Sequence, residues 1–304
     1  MIDALQINDE VAGALAAGEA VVALESTIIT HGLPRPTNLE VATALEDRVR
    51  EGGAVPATIC VLDGALRVGL GAGELARLAE PGDALKVSRR DIPFVLRSGA
   101  MGGTTVSATM FVAALAGVNV FATGGIGGVH RGAAETFDVS ADLQELARSD
   151  VAVVSAGFKS ILDIGLTLEY LESLAVPVVG YRTRTLPEFY VRGGKFVLDH
   201  SVELASEVAD IMLLRRELGI SGGIVVANPI PESDALDPEQ MESSIATALV
   251  EATAQGIGGK DVTPFLLERI AEITQSESLL ANRALVLNNG AVATEIALQL
   301  ATRT

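Results

Sequence analysis

The feature that most constrains this chain is a repeating order. A short uninterrupted apolar run is followed by apolar residues at helical spacing, and then by another apolar run. Val21–Leu24 is such a run, and further strands are expected at residues 118–122, 151–154, 178–181, 196–198 and 224–227. Residues 57–62 and 66–68 flank Asp63-Gly64, a pair that supplies the positive φ of a tight turn, so they read as a hairpin. Helices are expected at 39–50 (with Thr37 or Asn38 as N-cap), 143–148, 160–174, 202–218, 239–255, 265–274 and 290–300. Continuous apolar strands separated by helices are buried on both faces. The expected fold is therefore α/β, a mainly parallel or mixed central sheet with helices on both faces (α/β/α).

The 304 residues suffice for one sizeable core. The one candidate break, the proline-rich acidic loop 229–238, is too short for an interdomain linker, so a single domain over 1–304 is expected. Residues 98–129 carry no charged side chain and are long enough to cross a bilayer. Glycines and hydroxyls interrupt them, so a buried helix (105–116) followed by a buried strand is expected instead of a membrane span. Residues 1–20 carry four acidic and no basic side chains, unlike a signal peptide. With 39 acidic against 22 basic side chains, the net charge of -17 argues against nucleic-acid and anionic-lipid partners. The lone Cys60 allows neither an internal disulfide nor a cysteine metal cage, which suits a reducing cytoplasm.

In doubly wound sheets, ligands sit beyond the carboxyl ends of the strands. Those ends carry the distinctive residues here. Only four of the 22 basic residues are lysine: Lys86, Lys159, Lys195 and Lys260. Arginine cannot lose its proton at usable pH, whereas a desolvated lysine can, and only a neutral amine attacks carbon. Lys159 follows a buried strand and the turn Ser155-Ala156-Gly157. Apolar Phe158, Ile161 and Leu162 surround it, and it is expected to open a helix whose N-terminus would depress an amine pKa. The bland alternative is an ordinary surface lysine. Glu25 follows the first buried strand, with hydroxyls Ser26, Thr27 and Thr30 and with His31 close behind. It is either a general acid and base or a turn cap.

The glycine-rich segment 124–132 (GGIGGVHRG) lets backbone N–H groups approach an anion or sugar, but it fits neither a dinucleotide fingerprint nor a P-loop. His130 within it either bonds a substrate hydroxyl or serves structure. Ser140 reads as a helix N-cap, and a helix N-terminus is a phosphate site. Asp138 nearby could hold a divalent ion; with no His/Cys cluster, such an ion must be hard and mostly hydrated. Lys86 and Arg89-Arg90, with such an ion, could supply the positive charge a phosphate needs; the alternative is a solvated basic loop.

Eight segments, in order, resemble one family, the pseudouridine-5'-phosphate glycosidases with the indigoidine-cluster A-type proteins. They are 22–32 (VALESTIITHG), 53–59 (GAVPATI), 88–91 (SRRD), 102–106 (GGTTV), 124–132, 157–164 (GFKSILDI), 226–231 (VANPIP) and 259–265 (GKDVTPF). The likeness runs over about residues 24–297. It implies an α/β/α fold, a homotrimer, and reversible conversion of pseudouridine 5'-phosphate and water to uracil and ribose 5-phosphate. By that resemblance Lys159 is the nucleophile and Glu25 the proton donor. Lys86, the Val106 backbone, Ser140, Ala141, Asp142 and Asn282 contact substrate, and Asp138 is the ligand of a manganese ion (Mn2+); His130 joins the substrate-contacting set from its place in the glycine segment. Without the resemblance, two rivals stand beside this reading: another imine-forming lyase or aldolase acting on a sugar phosphate, and a non-catalytic sugar-phosphate sensor.

Overall fold

All four residues of the strand Val21–Leu24 are buried, and the strand lies inside the sheet, flanked on both sides. The computed structural model describes residues 4–80, 82, 84–258 and 262–303. Among these, the strands in chain order are β1 Leu5–Ile7, β2 Val21–Leu24, β3 Val55–Leu62, β4 Ala65–Val68, β5 Leu85–Val87, β6 Gly102–Thr104 and β7 Val120–Ala122. They continue as β8 Val129–His130, β9 Ala152–Ser155, β10 Leu162–Asp163, β11 Val178–Tyr181, β12 His200–Val202 and β13 Ile224–Ala227. The main sheet runs β1-β4-β3-β2-β7-β9-β13-β11-β12, with β6 pairing β3 and β5; β8 and β10 form a separate two-stranded ribbon. From β3 through β2, β7, β9, β13 and β11 to β12 every pairing is parallel. Antiparallel pairs in the main sheet are β3 with β4, the expected hairpin, and β3 with β6.

Helices lie on both sides of this sheet, as the alternation required. They are α1 Asp9–Ala17, α2 Thr37–Glu51, α3 Ala72–Ala79, α4 Ile92–Ser98, α5 Val106–Ala116, α6 Ala133–Thr136 and α7 Ala141–Leu146. The rest are α8 Ile164–Ser173, α9 Ala205–Glu217, α10 Pro238–Ala254, α11 Val262–Ile273 and α12 Glu277–Ala301. The central strands β2, β7, β9 and β13 are buried throughout, each Val or Leu side chain contributing about 1.5–3 kcal/mol by leaving water. The 25-residue α12 is apolar and long enough to cross a membrane, but it packs against β2, β7, β9, α2 and α9. The charge-free stretch 98–129 includes α5, capped by Thr105, and β7, both mostly or wholly buried.

Several expectations are corrected. Residues 196–198 do not form a strand; Val197 is 72% exposed, and the strand is His200–Val202. Neither Thr37 nor Asn38 caps α2, where Pro36 stands at the N-cap. The Asn38 amide instead donates to the carbonyls of Ile29 (2.9 Å) and Ala79 (3.0 Å), tying α2 to neighbouring segments. The helix expected from residue 160 starts at Ile164, because Leu162 and Asp163 pair with His130 and Val129. Asp163 then caps it, accepting from the Leu166 N–H at 3.0 Å. The last helix is far longer than residues 290–300.

Candidate active site

Glu25 comes off the end of β2, the Gly124-Gly125 turn off β7, and the turn bearing Lys159 off β9. Where these ends meet lies a cavity of about 340 Å³, within the range of small-molecule sites. Ten sequence-predicted residues line it: Glu25, Lys86, Val106, His130, Asp138, Ser140, Ala141, Asp142, Lys159 and Asn282. The segment Gly259-Lys260-Asp261 lies outside the described residues, but Thr263, Pro264 and Leu267 just beyond it also face the cavity.

The Glu25 carboxylate is held by two hydroxyls. Thr123 Oγ1 donates to Oε1, and Thr27 Oγ1 donates to Oε2. Next to it, Ser26 and Thr104 are fully buried, and both hydroxyls donate to the Ile59 carbonyl at 2.6 Å. Thr104 N–H donates back to Ser26 Oγ at 2.9 Å. This lattice fixes the segment after β2 against β3 and β6, so the Glu25 backbone is set by groups that are themselves satisfied.

Lys159 follows the turn after β9, where Gly157 has φ +78 and any Cβ would stand 2.0 Å from the Pro187 carbonyl oxygen. Only glycine fits there. The Lys159 N–H donates to the Ile126 carbonyl and the Ile126 N–H to the Gly157 carbonyl, each at 3.1 Å, so the lysine turn is zipped to the glycine segment. Arg131 fastens the far side: its guanidinium donates to the Ser160 carbonyl (3.3 Å) and pairs with Glu242 (2.8 Å). Phe158, Ile161 and Leu162 are buried as expected. The helix does not begin at Lys159, so the expected helix-end influence on its amine has no structural basis.

The opposite wall is built on the glycine segment and the start of α7. Ser140 caps that helix, accepting from the Asp142 N–H at 3.3 Å. The buried Asp142 carboxylate accepts from the backbone N–H groups of Ser107 (2.8 Å) and Gly127 (2.9 Å). A Cβ at Gly127 would lie 2.4 Å from Ser140 Oγ and 2.6 Å from Asp142 Oδ2, so this close approach requires glycine. Lys86 reaches the cavity from β5, and Val106 from the first turn of α5. Arg89, though adjacent, is committed elsewhere: it pairs with buried Glu145 at 2.7 Å and lies over the Phe111 ring.

Asn282 enters from α12. It is buried, and among the described residues its Oδ1 has no hydrogen-bond partner. A buried acceptor left unmade costs free energy, and here it lines a cavity where a ligand N–H would satisfy it. Phe189, with φ +63, lies against Gly125 and lines the same space. Sequence reading placed Thr27 and Thr123 at ligand-facing strand ends without giving either a role, and it missed Phe189. Phe189 sits in an irregular loop whose path carries no periodic signal.

Burial is the chief cause that lowers the His130 imidazole below its usual pKa; Asp138 opposes this, while Lys159 and Lys86 add to it. Asp138 and His130 approach to 4.0 Å. Among the described residues, no three His, Cys, Asp or Glu side chains cluster to hold a metal. A closed zinc-type cage therefore does not fit. One half-exposed carboxylate on an open cavity wall fits a hard divalent ion that keeps most of its water.

The family model for indigoidine synthase A-like proteins matches residues 10–299. The chain belongs to the indigoidine synthase A-like family. Within that family it is 57% identical to pseudouridine-5'-phosphate glycosidase of Sorangium cellulosum, over 97% of this chain and 93% of that protein. It is 53% identical to the protein of that name from Escherichia coli, over 96% and 94%. Among solved structures of the fold, the prealnumycin C-glycosynthase AlnA in complex with ribulose 5-phosphate superposes with a TM-score of 0.92 at 39% identity, covering 100% of this chain and 99% of AlnA. An indigoidine synthase A-like protein of Thermotoga maritima gives 0.89 at 37% identity, covering 98% and 96%.

Proposed function

We propose that this family member is a pseudouridine-5'-phosphate glycosidase, reversibly converting pseudouridine 5'-phosphate and water to uracil and ribose 5-phosphate. The observation that carries this reading is that Lys159 and Glu25, from different strand ends, line one cavity with Asn282, whose Oδ1 has no partner among the described residues. The names of relatives at 53–57% identity point the same way. AlnA, solved with a sugar phosphate, supports the substrate class.

A C–C glycosidic bond has no leaving oxygen or nitrogen to protonate, so a paired-carboxylate scheme lacks its easy step. The Lys159 amine adds at C1', and the ring oxygen leaves as a hydroxyl. The nitrogen, now beside the C1'–C5 bond, pushes its lone pair toward C1' as uracil C5 takes a proton from Glu25. Uracil departs and a protonated imine joins Lys159 to the open-chain sugar. Water adds to C1', and ribose 5-phosphate is released. Asn282 reads the base. Lys86, the Val106 backbone, His130 and residues Ser140 to Asp142 hold the sugar and its phosphate. Asp138 would hold a hydrated Mn2+, which supplies positive charge in a protein that is strongly acidic overall. The protein is further proposed to be a cytoplasmic homotrimer, a state that light scattering tests.

Borohydride reduction of the protein with ribose 5-phosphate should add one reduced sugar phosphate by mass, on Lys159. Lys159→Arg should lose both the adduct and turnover. Consumption of ribose 5-phosphate that does not depend on uracil would favour an aldolase. Sugar-phosphate binding with no reducible adduct would leave a sensor.

A further inference from the structure

The hydroxyls around Glu25 form a device separate from the acid itself. Thr123 donates to one carboxylate oxygen and Thr27 to the other, so the carboxylate plane is gripped from two sides. Each threonine is anchored in turn. The single hydroxyl proton of Thr27 is shared between Glu25 and the Thr104 carbonyl, 3.1 Å from Oγ1, which holds the hydroxyl beside the buried lattice between β2 and β6. The carbonyl of Thr123, which is buried at the end of β7, accepts from Asn289 Nδ2 at 2.8 Å. Asn289 lies on α12 and is fully buried; its Oδ1 accepts from Asn228 Nδ2 at 2.9 Å at the end of β13. Asn228 N–H donates to the Ser155 carbonyl at 2.8 Å, at the end of β9. A chain of amide and hydroxyl hydrogen bonds thus runs from the strand that leads to Lys159, across α12, to Glu25. Linked buried hydrogen bonds favour one geometry, because moving any member breaks a bond it makes to the next.

We infer that Thr27 and Thr123 are positioning residues for the acid Glu25, and that Asn289 and Asn228 hold Thr123 in register with it. This rests on the reading of Glu25 as the proton donor to uracil C5. A carboxylate free to rotate out of line with C5 would still leave the sugar bound and Lys159 able to form its imine. A misplacement of about 1 Å costs on the order of a hundredfold in rate.

The test pairs Thr123→Val, which keeps the shape and removes the hydroxyl, with Thr123→Ser, which keeps the hydroxyl. Thr27→Val, at the cavity wall, serves as a second variant should the buried Thr123→Val fail to fold. The Val variants are expected to lose at least about tenfold in kcat on pseudouridine 5'-phosphate with KM within about twofold. They should still yield the borohydride adduct with ribose 5-phosphate. Thr123→Ser should recover most of the rate. A folded Thr27→Val or Thr123→Val with wild-type kcat, or a KM increase that accounts for the whole loss, overturns the positioning role. An absence of turnover or adduct in the wild-type protein instead overturns the functional reading beneath it.

Discussion

Asp142 Oδ2 accepts a hydrogen bond from the Gly127 N–H at 2.9 Å, and this contact fastens the glycine segment to the start of α7. The other oxygen accepts from the Ser107 N–H at 2.8 Å, at the start of α5. The carboxylate therefore spends both oxygens on backbone donors from two walls of the cavity. Asp142→Asn keeps the volume but presents an NH2 to one of those N–H groups, leaving a buried donor unpaired. The expected cost is about 1–3 kcal/mol of stability, with loss of sugar-phosphate binding. Chemical denaturation checks the first part and calorimetric titration with ribose 5-phosphate the second. A variant as stable as wild type would show that this bridge is dispensable.

The order of strands and helices was legible because a parallel sheet buries its strands on both faces, and Val21–Leu24 and Ile224–Ala227 read as unbroken apolar runs. The placement of Glu25 and Lys159 at strand ends followed from the same pattern. Two kinds of feature were not legible. Leu162-Asp163 carries a helical pattern, yet it joins a two-stranded ribbon by pairing with His130 and Val129, partners far back in the chain that local periodicity cannot name. The α12 helix, buried along much of its length, shows no clean amphipathic stripe, so its start at Glu277 was hidden. Within the site, residue types were readable from the motifs. The hydroxyl grip on Glu25 was not, since Thr123 is 98 residues away in sequence.

Glu25→Gln should separate the chemical step from binding. Gln can still accept from Thr27 or Thr123 through its oxygen, but it cannot deliver a proton to uracil C5. The loss is expected in kcat, on the order of a hundredfold or more, with KM changed little. Steady-state kinetics with pseudouridine 5'-phosphate measures it. A wild-type kcat would remove Glu25 from the proton transfer.

The proposed ion site at Asp138 makes a prediction that does not depend on turnover. Free aqueous manganese gives a sharp paramagnetic resonance signal that binding broadens. Wild-type protein should attenuate it and Asp138→Asn should not, because the variant loses the charged oxygen that a hard cation requires. Chelation should lower activity and added manganese restore it. Equal attenuation by both proteins would take Asp138 out of that role.

Cys60 offers a probe of folding. It is buried in β3 beside Leu62, Leu75 and Leu78, and burial pushes its thiol up to about 12. At pH 8 only about one molecule in ten thousand would carry the thiolate, which is the reactive form. A disulfide-exchange reagent should therefore leave the native protein unlabelled for hours and label it stoichiometrically in denaturant. Rapid labelling under native conditions would mean that β3 opens far more readily than its burial implies.

Glu46 on α2 gives the fold a pH dependence of defined sign. Its carboxylate accepts from Thr58 Oγ1 at 2.5 Å, across the α2–β3 contact. Burial raises its pKa above the ordinary value; the Thr58 hydrogen bond and Arg50 oppose that rise without cancelling it, and Glu10 and Asp47 add to it. A carboxyl with a raised pKa in the folded state binds its proton more tightly there than in the unfolded chain. Its contribution is thus fully present below the unfolded value, about 4.3, and is lost as pH rises through the folded value. Glu46→Gln retains an acceptor for Thr58 and removes the titration. The stability of the variant relative to wild type should therefore increase from pH 4 toward neutrality and then level off, as read by urea denaturation at each pH. A difference that stays flat across that range, or that grows as pH falls, would show that burial does not govern this carboxyl.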